Sequence, residues 1–152
     1  WNFFFGSTKN EDEPIKEINR MDEITLGKTV MIIGVMENEI NCELVDRHPQ
    51  QFESTVTDNT RTPREGEVDN RNYIFVSLKH FVENVYCHRY VDMNIIKGNL
   101  YGITYTNVKN IIKQGRHCLL QPNGEQTIIR LKKIGIDPIV ILIKASNIEK
   151  IM

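Results

Sequence analysis

The chain predicts an α/β domain, and three features of its 152 residues carry that expectation. Thr29–Gly34 (Thr-Val-Met-Ile-Ile-Gly) is an apolar run closing on glycine, the pattern of a central strand buried on both faces. From Thr29 onward, short β-branched runs alternate with amphipathic stretches, as strands packed under crossover helices require. Pro138–Ile143 (Pro-Ile-Val-Ile-Leu-Ile) is the most hydrophobic strand candidate of all.

The other elements follow in order. After Gly34 a helix is expected over Glu37–Asp46, then extended segments at Phe52–Thr57 and Asn72–Val76. Ser77 is a candidate N-cap for a helix over Leu78–Val85, because its hydroxyl can accept one of the unpaired N–H groups of the first turn. Tyr90–Met93 and Leu100–Thr104 flank Lys97-Gly98-Asn99, which has hairpin-turn chemistry. Asn107–Lys113 reads as a helix ended by Gly115, His117–Leu120 as a short buried strand, and Glu125–Lys133 as a helix. Ser146 opens a last helix. Trp1–Lys28 differs from the rest: an aromatic start runs into a polar, acidic stretch without sustained periodicity. It reads as a connector, with the domain at residues 29–152 and the whole as a piece of a longer protein.

Composition narrows the function classes. Lys plus Arg number 19 against 20 Asp plus Glu, so no general field draws the chain to nucleic acid or an acidic membrane, and any anion site must be local. No apolar run approaches the roughly 20 residues of a bilayer span. The three scattered cysteines, Cys42, Cys87 and Cys118, fit reduced thiols in an intracellular setting, packed as small hydrophobes, better than a disulfide framework. Neither Cys87-His88 nor His117-Cys118 has the paired spacing of a zinc site. Lys109, Lys113 and Arg116 read as a solvated helix face and end.

The chemistry concentrates in Thr60–Val68 (Thr-Arg-Thr-Pro-Arg-Glu-Gly-Glu-Val), where Arg61 and Arg64 stand beside a proline, with Tyr73 and Tyr101 further on. Arginine presents a planar fork of donors that matches phosphate oxygens in pairs, and a tyrosine hydroxyl adds a bond without adding charge. The plain alternative is an exposed basic turn, which Pro63 and Gly66 would mark in any case. For Tyr73 alone the alternative is an aromatic in the core of a strand.

Thr60–Asp69, Tyr73-Ile74-Phe75-Val76-Ser77 and Gly98-Asn99-Leu100-Tyr101-Gly102 together resemble the GMP-binding region of guanylate kinases. Gly115–Leu120, Ile129-Arg130-Leu131 and Pro138–Lys144 resemble more closely the guanylate-kinase-like domain of the membrane-associated guanylate kinase homologues of the discs-large group. The resemblance covers about Thr29–Met152. It implies a parallel sheet core like that of P-loop kinases, with a mixed or antiparallel GMP-binding-type subdomain, cut short before the lid and the last helices and strand. It also implies that Arg61, Arg64, Tyr73 and Tyr101 meet a phosphate, that Thr57 stands where active kinases often have Ser, and that Asp92 replaces the Glu that pairs with guanine.

Two departures bear on catalysis. Active kinases of this family run from the first strand into a Gly-x-x-Gly-x-Gly-Lys-Ser/Thr loop, whereas here Gly34 leads into Val35-Met36-Glu37-Asn38-Glu39. Gly27-Lys28-Thr29 has the right letters but precedes the strand, and Asp22 stands where the motif needs Gly. Gln121 occupies the position of a catalytic-site Asp. The resemblance therefore implies a pseudokinase without a cofactor. Its reused pocket would capture phosphoserine or phosphothreonine of partner proteins, beside an SH3 domain of the same chain. The whole protein would be held peripherally, through other domains, at the cytoplasmic side of the plasma membrane, at junctions or synapses. The alternatives are an active ATP:GMP phosphotransferase and a structural module that docks on the SH3 domain and binds nothing in its pocket.

Overall fold

A computed structural model describes residues 26–144. Most of the expected connector and the helix expected from Ser146 lie outside the described residues. Two sheets form, as the α/β expectation requires. The first is wholly parallel, in the order β2 (Phe52–Ser54), β7 (His117–Leu119), β1 (Thr29–Gly34), β8 (Ile139–Ile143). The second is mixed, in the order β4 (Ile74–Phe75), β3 (Asp58–Asn59), β6 (Asn99–Thr104), β5 (Tyr90–Ile96), with β3 and β4 parallel and the rest antiparallel. Among the described residues four helices connect them: α1 (Glu37–Arg47), α2 (Leu78–Tyr86), α3 (Tyr105–Lys113) and α4 (Glu125–Lys133).

Strand β1 is central, and its alternation serves two cores because successive side chains leave opposite faces of a strand. Met31 packs with Cys118, Leu120, Val108, Ile111 and Leu131, toward α3 and α4. Val30, Ile32 and Leu119 pack on the other face with Ile40, Leu44 and Val45 of α1. Val91 and Ile103 of the second sheet join the first of these cores, so the two sheets share one buried cluster. Strand β8 lies at a sheet edge, with Ile139, Val140, Ile141 and Leu142 between 44% and 59% exposed.

Several boundaries differ from expectation. Extended chain from Phe52 does not run on to Thr57: β2 ends at Ser54, and the chain crosses to the second sheet, where Asp58–Asn59 pairs with β4 and β6. Two polar residues carry no period that could announce a strand. Helix α3 starts two residues before Asn107, because Thr104 at the end of β6 accepts the Asn107 N–H through its hydroxyl (3.2 Å). Ser77 caps α2 as expected, accepting the His80 N–H at 3.2 Å. Lys97 and Gly98 both take positive φ, 49° and 79°, which closes the β5–β6 hairpin with the matching twist. Of the three cysteines only Cys118 is buried; Cys42 and Cys87 are exposed, contrary to the expectation that all three pack as hydrophobes. Burial, with a smaller contribution from Glu53, pushes the Cys118 thiol up to about 12, so it stays protonated and unreactive at neutral pH.

Candidate functional site

The loop from Thr60 to Tyr73 is organised by its own carboxylates. Asn59, fully buried in β3, accepts the Arg61 N–H on its side-chain oxygen at 2.8 Å and so starts the loop. Glu67 holds the centre: one oxygen takes the Arg61 guanidinium and the other the Arg64 backbone N–H, both at 2.7 Å. Asp69 ends the loop by accepting the Phe75 N–H at 2.9 Å. The electrostatics are reciprocal. The Glu67 carboxylate raises the Arg61 guanidinium above its ordinary value, with Tyr101 adding to the shift, and Arg61 followed by the Arg64 N–H lowers Glu67.

Three of the singled-out side chains form one stack. The Arg61 guanidinium lies 5.6 Å from the centre of the Tyr73 ring, and Tyr73 meets Tyr101 edge-on with ring centres 6.0 Å apart. A cation over an aromatic face at such a distance is attracted by the ring quadrupole. Tyr73 therefore belongs to the site and not to a closed core; it is only half-buried. Arg64 is exposed, and its guanidinium has no hydrogen-bond or ion-pair partner among the described residues.

Beside this stack opens a cleft of about 450 Å³ between the two sheets, lined by Thr57, Tyr73, Tyr101 and Asp92, and by Asn41 and Gln121 from the other side. Four of the six residues singled out as ligand-binding candidates thus share one cavity wall. Arg61 borders it through Tyr73, and Arg64 does not line it. Asp92 is buried at 4% exposure and committed internally: its Oδ2 accepts the backbone and side-chain N–H groups of Asn123 (3.2 and 2.9 Å), and its Oδ1 accepts the Met93 N–H at 3.0 Å.

Asn38, Asn41 and Cys42 of α1 line the opposite side of the cleft, and the turn after β1 leads into that helix. Only Val35 and Met36 separate Gly34 from α1. Met36 takes a left-handed conformation (φ 62°), and the Glu37 carboxylate folds back to accept the Gly34 N–H at 3.1 Å. Gly34 itself has φ 124°, and a Cβ there would lie 2.1 Å from the Ile143 carbonyl oxygen, so the turn is pressed against β8. Glu37 and Glu39 occupy the first turn of α1, where they offset the positive end of the helix that an anion would otherwise use. Gln121, two residues past the end of β7, donates to Asn38 Oδ1 at 2.6 Å and ties the chain leaving that strand to α1. Gly27-Lys28-Thr29 takes no part: the Gly27 N–H bonds Ile112, the Lys28 N–H and carbonyl bond His117 and Cys118, and Thr29 is buried.

Under the floor of the cleft runs a second polar network. The Tyr90 hydroxyl donates to Asp58 at 2.8 Å and accepts from Asn84 at 3.3 Å, and Arg89 donates to Asn84 at 3.1 Å. Burial raises Asp58 above its ordinary value, opposed by the Tyr90 bond and by His80, and burial also raises the Tyr90 hydroxyl. Phe81 stacks on Tyr90 at 4.5 Å, and both rings crowd Gly102, where a Cβ would come within 2.7 Å of the Tyr90 ring. Among the described residues no three His, Cys, Asp or Glu side chains gather as metal ligands, and no helix is long and apolar enough to cross a membrane.

Sequence reasoning missed the roles of Glu67, Asn59, Asn41 and Asn123. Glu67 was visible as an acid three residues after Arg64, a spacing that a tight turn brings into contact. Asn123 pairs with a residue 31 positions away, and no local pattern signals that.

The sequence profile "Guanylate kinase" matches residues 26–152. Disks large homolog 2 of Homo sapiens is 34% identical over 131 residues, covering 86% of this chain and 15% of its own length. Disks large homolog 3 of Mus musculus is 31% identical over 150 residues, covering 97% of this chain and 18% of its own length. The chain thus spans less than a fifth of the length of these relatives. Among solved structures, the guanylate kinase from Anaplasma phagocytophilum superposes with a TM-score of 0.51 at 18% identity, covering 78% of this chain and 61% of that one. With the parallel sheet, the mixed sheet and the arginine loop in the arrangement described, the chain belongs to the guanylate kinase family.

Proposed function

We propose that the chain is a catalytically inactive guanylate-kinase-like module that binds phosphoserine or phosphothreonine of partner proteins at the Arg61, Arg64, Tyr73 and Tyr101 end of the cleft. The observation that supports it best is the Arg61–Tyr73–Tyr101 stack at the cleft edge, in the same loop as an exposed Arg64 whose guanidinium has no partner among the described residues. A phosphorylated side chain brings two charges and three acceptor oxygens, which guanidinium and phenol donors match. Thr57 adds a hydroxyl to the same wall, and the Asn41 Oδ1, buried and without a partner among the described residues, supplies an acceptor for an N–H of the bound segment. Inactivity rests on the two-residue connection after β1, its carboxylates and the Gln121–Asn38 bridge, which leave no backbone loop to wrap a triphosphate. In the whole protein this module would act as a scaffold at the cytoplasmic face of the plasma membrane, beside an SH3 domain, with phosphorylated proteins as its partners.

A peptide titration tests the reading. Phosphorylation should tighten binding tenfold or more, and Arg64→Ala should remove most of that gain, since a charge-assisted bond contributes about 1.5 to 3 kcal/mol. Equal affinities for the two peptides would reject it. A second reading, an active guanylate kinase, is favoured by the intact arginine and tyrosine set. Turnover of about one per second with ATP, magnesium and GMP would establish it.

A further inference from the structure

We infer that the α1 wall of the cleft, through Asn41, holds the main chain of a partner segment, so that a phosphate is taken more tightly on a peptide than on a small ester. The inference rests on the phosphopeptide reading and adds to it what is recognised besides the phosphate. Among the described residues the cleft is lined by five side-chain amides, Asn38, Asn41, Asn94, Gln121 and Asn123, and by no lysine, arginine or histidine. Four of the amides are engaged within the protein: Gln121 donates to Asn38 at 2.6 Å, Asn94 to Asn123 at 3.4 Å, and Asn123 to Asp92 at 2.9 Å. Asn41 differs. It is 8% exposed, and its Oδ1 is buried without a hydrogen-bond partner among the described residues.

A buried carbonyl without a donor is costly, and a neutral N–H that reaches it recovers much of that cost. Turning the Asn41 oxygen toward the cleft about the side chain's own torsions breaks no hydrogen bond of that oxygen. With no cation in the cleft lining, the part of a ligand beside this wall must be neutral and must bring donors. A peptide main chain meets both conditions. Each residue other than proline carries one N–H, and successive residues of an extended segment lie roughly 3.3 Å apart, so a segment in the cleft brings a donor to a fixed acceptor whatever its side chains. A phosphate ester without amides brings none. The Asn41 carbonyl also accepts without the charge that a carboxylate would set against the phosphate.

The test titrates the wild-type chain and Asn41→Ala with an alanine-based peptide carrying a central phosphoserine, its unphosphorylated parent, phenyl phosphate, and a series in which one backbone N–H at a time is replaced by an ester oxygen. Asn41→Ala should weaken the phosphopeptide by about tenfold and phenyl phosphate by less than about twofold. One ester position should cost about tenfold on the wild type and nothing further on Asn41→Ala. A series with no position whose loss disappears in Asn41→Ala, or equal losses for phenyl phosphate and the peptide, would overturn the inference. If phosphorylation leaves peptide affinity unchanged, the phosphate reading has failed, and esters of the unphosphorylated peptide judge Asn41 by the same criterion. A peptide that binds in neither form rejects both. Should thermal melts show Asn41→Ala unfolded, Asn41→Leu, of similar volume and without a carbonyl, takes its place. Should both unfold, the wild-type series decides: a tenfold loss at one position supports the inference, and a series without one overturns it.

Discussion

The Thr60–Tyr73 loop, whose Tyr73 lines the cleft, and the turn after β1, which leads into the α1 residues on its other side, treat charge in opposite ways. The loop sets a guanidinium over an aromatic ring, fixes it with Glu67 and leaves the Arg64 guanidinium without a hydrogen-bond or ion-pair partner among the described residues. The turn is two residues long, folds a glutamate onto its own first N–H and has a second glutamate in the helix turn that follows. A cation and two phenols gather on the side of the loop, whereas Glu37 and Glu39 stand in the first turn of α1, outside the cleft lining. The difference teaches that one fold can set opposite charge in two halves, because the halves rest on different elements: one on the mixed sheet, the other on the link from β1 to α1.

Breaking the support of the mixed sheet should have the largest effect. Phe81 is 2% exposed and stacks on Tyr90, so Phe81→Ala should cost about 3 to 5 kcal/mol in chemical denaturation and take phosphopeptide binding with it. A loss below about 1 kcal/mol would show that this half does not depend on the stack.

The next effect sharpens the comparison through pH. Asp58 lies beneath the cleft with its value raised above the ordinary 3.8, so its burial costs nothing while it is protonated in both states. Stability from this group falls as pH rises from the ordinary value through the raised one, and is level above that. Glu67, lowered from its ordinary 4.5, has the opposite sign: its contribution is present above 4.5 and is lost as pH falls through the lowered value. Asp58→Asn keeps an acceptor for the Tyr90 hydroxyl and removes the charge. Its stability profile should therefore lose the falling limb above pH 4 and match or exceed wild type at pH 7. A mutant less stable than wild type at pH 7 would mean that the Asp58 charge is favourable where it lies.

The smallest effect belongs to the other half. The Gln121–Asn38 bond is exposed, so Gln121→Ala should change stability by no more than about 0.5 kcal/mol and leave phosphopeptide affinity unaltered. A tenfold loss of affinity would make the turn part of the ligand site.

How far the sequence foretold this depends on the range of the forces involved. Strand β1 and helix α4 were legible to the residue, since an apolar run ending in glycine and a helix with basic residues in its last turn are local signals. Ser77 announced its cap for the same reason. Strand β3 was not legible, because Asp58 and Asn59 pair with β4 and β6 through backbone alone. At the site, residue types pointed to Tyr73 and Tyr101, and the resemblance to Thr57 and Asp92, and these four meet in one cleft. That Asp92 is occupied by Asn123, and that Arg61 is tethered by Glu67, depends on which partners the folded chain brings within reach.

The most direct measurement is a phosphorus NMR experiment on the chain mixed with a phosphoserine peptide, ATP, magnesium and GMP in one tube. The expected result is a shifted peptide phosphate resonance that returns to its free position in Arg64→Ala, unshifted β and γ resonances of ATP, and no ADP or GDP. An unmoved peptide resonance, or accumulating ADP and GDP, would contradict binding without transfer.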